Sequence, residues 1–250
     1  MNWQELWAWR FAPWNAVSYG LRSRLRGRIR KLMPRTRELY LPCSESKNHL
    51  FSHLPLDQQP IAEAWAAELQ ERFDLEELAG HSSKEVWLEN LALLDVLERV
   101  GEHLEIPEGE GPLRALDIGS RNWSYCTAQE RFLRSFGSRP VELTGVEVDG
   151  YHMAKDGRPR IEHARAHARL TGNADVRYVV RDALDFHDQH LDVVFLLFPF
   201  LSQYALLHWG LPPTLLKPQK LIDHCLGMLR PGGHLVTLHQ TPWEAERMGA

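Results

Sequence analysis

Arg114-Ala-Leu-Asp-Ile-Gly-Ser-Arg-Asn-Trp123 decides the fold. An apolar run from Leu113 to Ile118 ends at a single glycine, and helical spacing sets in at Thr127 and holds to Phe136. A buried strand that turns at one glycine into a helix opens a parallel α/β sheet. Such sheets bind ligands outside the carboxyl ends of their strands. Asp117 and Gly119, with Ser120 beside them, stand where a nucleoside-type ligand would meet the strand end. Arg121 and Trp123 occupy positions where a dinucleotide needs glycines, because a pyrophosphate requires bare backbone and open helix amides. The turn therefore weighs against a nicotinamide enzyme.

Downstream the pattern repeats. Val141 to Val148, Val176 to Val180, Asp192 to Leu197 and His234 to His239 read as further strands, with helices over Arg158 to Leu170 and Leu215 to Leu229. Alternation of this kind predicts a doubly wound, mostly parallel sheet with helices on both faces. Each strand end carries chemistry. Glu147, in Thr144-Gly-Val-Glu-Val-Asp149, is a carboxylate able to accept hydrogen bonds from both hydroxyls of a ribose, with Val148 next to it. Asp182 and Ala183 follow the third strand, Phe198-Pro199-Phe200 the fourth, and Leu229-Arg-Pro-Gly-Gly-His-Leu-Val236 closes a helix with a Pro-Gly turn before the fifth.

On these residues the sequence resembles the class I S-adenosylmethionine (SAM)-dependent methyltransferases, over roughly residues 84 to 245. The resemblance implies a Rossmann-like sheet and SAM as cofactor. It places the turn from Asp117 through Gly119, Ser120 and Arg121 under the methionine part, with Glu147 and Val148 at the ribose. Asp182 and Ala183 then border the adenine, Phe198 to Phe200 the transferred methyl, and Leu229 to Val236 serves as scaffold. SAM has no phosphate, so Arg121 and Trp123 count less against it than against a dinucleotide, and Arg121 is a candidate contact for the methionine carboxylate. Phe198-Pro199-Phe200 departs from the Asn/Asp-Pro-Pro-Tyr pattern of amino-group methyltransferases, which disfavours base N-methylation. An aromatic pair there lines an apolar or planar acceptor pocket or packs in the core. The expected activity is methyl transfer to a small-molecule or lipid-like acceptor, with no catalytic residue assigned; Tyr125, Tyr204 and His208 lie near the strand ends. Family members continue beyond the fifth strand with a helix and two strands. Thr241 to Met248 reads as that helix and the last two strands are expected to be lacking: either the molecule is a shortened version, or the edge at the fifth strand is covered by the amino-terminal region or another chain.

A chain of 250 residues, 44% hydrophobic, can bury a full core. Cys43, Cys126 and Cys225 lie far apart, which predicts neither a zinc site nor a disulfide framework. His163 and His167, four apart, have metal-ligand spacing, but Arg160, Arg165 and Arg169 around them repel a cation, so a solvated helix face and no metal are expected. With no apolar run near the ~20 residues that span a bilayer and no secretory pattern, a cytoplasmic protein is expected, with peripheral membrane association open.

Charge is lopsided. Residues 1 to 40 carry nine basic and two acidic groups, so +7, which leaves −11 on the remainder of a chain of net −4. Val17, Leu21, Leu25, Ile29 and Leu32 fall on one helical face and Pro34 ends the pattern. Trp3, Leu6, Trp7, Phe11 and Trp14 form a second stripe that Pro13 should break. Three readings stay open for this arm: packing on the body or another subunit, a membrane surface, or, least favoured, nucleic acid. Two helices follow, one opening at Asp57 with Ile61, Trp65, Leu69 and Phe73 on a face. The other is capped near Ser82 or Ser83 and directs Val86, Leu93, Leu97 and Val100 to a core. The expected organisation is an arm over 1–34, a helical cap or lid over 35–110 and the SAM-binding domain over 111–250. The competing reading is a degenerate Rossmann-fold scaffold docked through its arm.

Overall fold

The computed structural model describes residues 9–32 (side chains only as far as residue 25), 45–106, 109–199, 201, 203–239, 242, 245 and 246. Five strands, β1 (Leu113–Ile118), β2 (Val141–Glu147), β3 (Val176–Val180), β4 (Leu191–Leu197) and β5 (Leu229–Leu238), form one parallel sheet in the order β3-β2-β1-β4-β5. All seven residues of β4 are buried, as a central parallel strand covered on both faces requires.

Side chains alternate cleanly across β1. Leu113 and Ala115 join a large core with Phe132, Leu133, Val193 and Phe195, while Leu116 and Ile118 join a smaller one with Val194, Leu196, Cys225 and Met228. The large core belongs to α5 (Cys126–Arg134) and α6 (Arg160–Leu170), the small one to α8 (Pro218–Met228). His167 of α6 is buried rather than solvated, because its helix turns this face inward with Ala164 and Ala168. His163 pairs instead with Asp156 at 3.0 Å.

Before the sheet come α1 (Ala12–Leu32), α2 (Gln59–Arg72), α3 (Glu76–His81) and α4 (Lys84–Gly101). Ser83 caps α4, its hydroxyl accepting from the Val86 amide at 3.2 Å. Trp87, Leu91, Leu94 and Leu97 then continue the large core, which also takes in Leu69 of α2, Phe73 just after it and Leu78 of α3. Ile61, expected on the buried face of α2, is exposed, since that helix buries only Ala66 and Leu69. Residues 45–106 thus share a core with the sheet.

Asn90 fastens the two parts. Its amide donates to the carbonyls of Val86 and Ser124, both at 2.8 Å, and its oxygen accepts from the Ala128 amide at 2.9 Å, capping α5 from another element. At the opposite end of the sheet the buried Asp192 gathers Arg139 at 3.2 Å, Arg230 and the Arg114 amide at 2.8 Å.

The fifth strand starts earlier than its sequence suggests. Leu229 already pairs with Leu191, the chain loops out through Pro231 and Gly232, and pairing resumes at His234 with Val193. Gly233 permits this, since a Cβ there would lie 2.7 Å from the Leu191 carbonyl oxygen. Of the helix expected over Thr241 to Met248, only Pro242, Ala245 and Glu246 are among the described residues, all three helical. Pro13 does not break α1 but sits in its first turn, where a missing N–H costs nothing. Trp3, Leu6 and Trp7 lie outside the described residues.

Candidate functional site

Strand order reverses between β1 and β4, so the connections leaving these two strands diverge and open a crevice at their carboxyl ends. A cavity of about 230 Å³ occupies it. Ile118, Val146 and Leu196 floor the cavity from the α8 side of the sheet, and Leu206, Leu211, Leu215 and Leu221 add apolar wall from the chain beyond β4.

Of the nine residues expected at the site, seven line this cavity: Gly119, Arg121, Glu147, Val148, Asp182, Ala183 and Phe198. Asp117 and Ser120 do not. Asp117 shares the face of Leu113 and Ala115 and points toward α5, where its carboxylate accepts from the Tyr125 hydroxyl at 3.1 Å. Burial pushes Asp117 up to about 7, opposed by hydrogen bonds from Gln129 and Tyr125 and aided by the charge of Glu147. Ser120 is fully buried, its hydroxyl turned toward Gly145.

Glu147 organises the turn. Its two oxygens accept from the backbone amides of Arg121 at 2.9 Å and Asp149 at 2.7 Å. Each oxygen keeps a second lone pair for a further donor. Asp182 accepts from the Leu184 amide at 3.0 Å and so starts the short 3₁₀ turn Ala183–Asp185 that carries Ala183 into the cavity wall.

Arg121 and Trp123 keep the backbone of the glycines they replace, with φ of 51° and 53°. Their side chains part company. Trp123 turns away from the cavity and is wholly buried: its indole N–H donates to Gln129 at 2.9 Å and its ring lies 6.0 Å from that of Tyr178. Gly145 of β2 makes room, since a Cβ there would stand 2.9 Å from the indole. Arg121 lines the cavity with its guanidinium 4.2 Å from the ring centre of Trp209, and Tyr178 donates to its carbonyl. Phe198, at φ 54° and 48% exposed, is a wall residue rather than core packing. Phe200 lies outside the described residues.

Ala205, Leu206, Trp209 and Lys217 also line the cavity, and no motif in the sequence marks them. Of α7 (Gln203–His208) the sequence suggested Tyr204 and His208, whose rings contact each other with centres 4.4 Å apart and planes tilted by 58°. The wall is formed instead by their chain neighbours Ala205 and Trp209, one position out of phase. Arg160, Arg181 and Lys217 complete a rim richer in cations than in carboxylates. Residues 45–106 contribute nothing to the lining, since α4 lies against α5 at the side of the sheet. Among the described residues no three His, Cys, Asp or Glu side chains are placed to hold a metal, and no helix is long and apolar enough to cross a membrane.

No family model matches the sequence, and neither does any curated protein. Solved structures do match. A SAM-dependent O-methyltransferase from Thermotoga maritima is 20% identical, with a TM-score of 0.41 over 62% of this chain and 47% of its own. A SAM-dependent methyltransferase from Aquifex aeolicus is 15% identical, with a TM-score of 0.41 over 61% of this chain and 76% of its own. The geranyl diphosphate C-methyltransferase of Streptomyces coelicolor, whose structure holds Mg²⁺, geranyl diphosphate and S-adenosyl-L-homocysteine, is 18% identical, with a TM-score of 0.39 over 57% of this chain and 44% of its own. The chain spans about half the length of the first and third of these. SAM-dependent methyltransferases are thus among the solved structures to which this chain is similar.

Proposed function

We propose that this protein transfers a methyl group from SAM to a small-molecule or lipid-like acceptor. The observation that carries the reading is the placement of Glu147 and Asp182 at the ends of adjacent strands, on one cavity at the point where strand order reverses. Glu147 retains acceptor capacity for a ribose diol, and Asp182 with Ala183 offers a carboxylate and a backbone amide to an adenine edge. Gly119, where an added Cβ would meet only open space, leaves room for the amino-acid end, and Arg121 supplies it with a cation. The residues present therefore fit SAM. Bound there, SAM supplies an electrophilic methyl on a sulfonium sulfur for in-line displacement.

The apolar wall from Leu206 to Leu221, with Phe198 and Trp209, favours an acceptor that is apolar over much of its surface. None of the described lining residues is a His, Cys or Tyr. Alignment and exclusion of water are then this chain's main contribution, with an acceptor whose nucleophile is already basic.

Calorimetric titration with SAM and S-adenosylhomocysteine tests the reading. Binding of either is expected, and silence from both at millimolar concentration defeats it. Glu147→Ala should weaken SAM by about 1–3 kcal/mol, the worth of charge-assisted hydrogen bonds. Unchanged affinity would move the ribose contact elsewhere.

A further inference from the structure

Helix α1 meets the body through polar groups. Asn15 donates to the carbonyls of Leu207 at 2.9 Å and Leu211 at 3.2 Å, and Arg22 grips Asp149 with two bonds of 3.0 Å. Its apolar side is left outside: Trp14 is 71% exposed, Val17 57%, Leu21 54% and Leu25 39%. Spacings of three and four residues put these four on one face, so the helix is amphipathic with its polar side inward. An exposed apolar stripe of this kind marks an interaction surface.

The charges select its occupant. Residues Ala12–Leu32 contain six basic groups and no acidic one, against −11 on the chain beyond residue 40. Arg22 is committed to Asp149, Arg24 is exposed, and the helix runs on through positions 26, 28, 30 and 31, all basic. A bilayer boundary matches this sequence of properties: indole rests at headgroup depth, aliphatic side chains enter the acyl region, and guanidinium groups pair with lipid phosphates.

We propose that α1 docks the protein on an anionic lipid bilayer through Trp14, Val17, Leu21 and Leu25. The proposal is independent of the methyl-transfer reading. It has a structural corollary, because Asn15 holds Leu207 and Leu211 and the latter lines the cavity. The seat of α1 on the body therefore adjoins one wall of the cavity.

Flotation of the full chain with phosphatidylcholine vesicles, with and without phosphatidylserine, provides the test. Recovery with the anionic vesicles only, falling as salt is raised, is expected. Trp14→Glu with Val17→Glu should reduce it about tenfold, and Leu21→Glu alone should reduce it in the same direction. All three positions are exposed, and the thermal midpoint should not move. Equal flotation of wild type and these variants overturns the proposal, as does wild-type protein that ignores anionic vesicles. A wild-type dimer in gel filtration that the Trp14 and Val17 variant converts to monomer also overturns it, by assigning the stripe to a second copy.

Discussion

At Trp123 a bulky residue holds a left-handed backbone that glycine ordinarily takes, and burial is what sustains it. Trp123→Ala should cost about 3–5 kcal/mol in denaturant unfolding, as removal of a buried indole does. Gly145→Ala should cost about 1–3 kcal/mol by overpacking against the same ring. In the double variant the two costs should fall short of their sum, since the added methyl enters the space the indole leaves. Asp117 offers a pH signature. Its folded value, about 7, exceeds the 3.8 of a free carboxyl, so its stabilising share is complete below the lower value and lost as pH rises through the upper. Asp117→Asn should therefore gain on the wild type between pH 5 and pH 8 in guanidinium unfolding; a constant difference would refute the shift. His167, lowered to about 3 by burial, acts with opposite sign: its contribution is present above 6.5 and lost as pH falls. The facing of Asp117 was legible in principle, because Leu113, Ala115 and Asp117 alternate with Leu116 and Ile118. The turn motif drew attention away from that period.

Strands read well as elements because a buried parallel strand is a continuous apolar run, and β1 and β3 have the bounds their sequences predict. Pro231-Gly-Gly misled at β5, since a looped-out excursion inside a strand has the composition of a turn before one. In α7 the aromatic residues advertised themselves while the wall went to Ala205 and Trp209, a phase that helical spacing alone does not set. The placement of α4 was equally hidden, because Asn90 looks like an ordinary polar residue until it meets Ser124 and Ala128. Asn90→Ala should cost about 2–4 kcal/mol, leaving the Ala128 amide and the Ser124 carbonyl buried without this partner. Thermal unfolding followed by circular dichroism checks it; a loss within experimental error would mean that solvent replaces the amide.

For the molecule as a whole, the crevice followed from the order of elements in the sequence, whereas its outer wall did not, being assembled from residues 205 to 221 and held by α1. The cationic arm was plain from composition. Its inversion, with polar residues inward, was not, because the partners of Asn15 and Arg22 lie far along the chain. That separation governs the order of assembly. The Asn15 amide reaches across 192 and 196 positions to its two carbonyls, so α1 is among the last elements to find its seat. Contacts of such high order form late. During refolding under pulsed hydrogen exchange, α1 amides should gain protection after those of β1 and β4; simultaneous protection would show that the helix docks without the wall it supports. The helix thus waits for a wall that lies some 190 positions further along the chain.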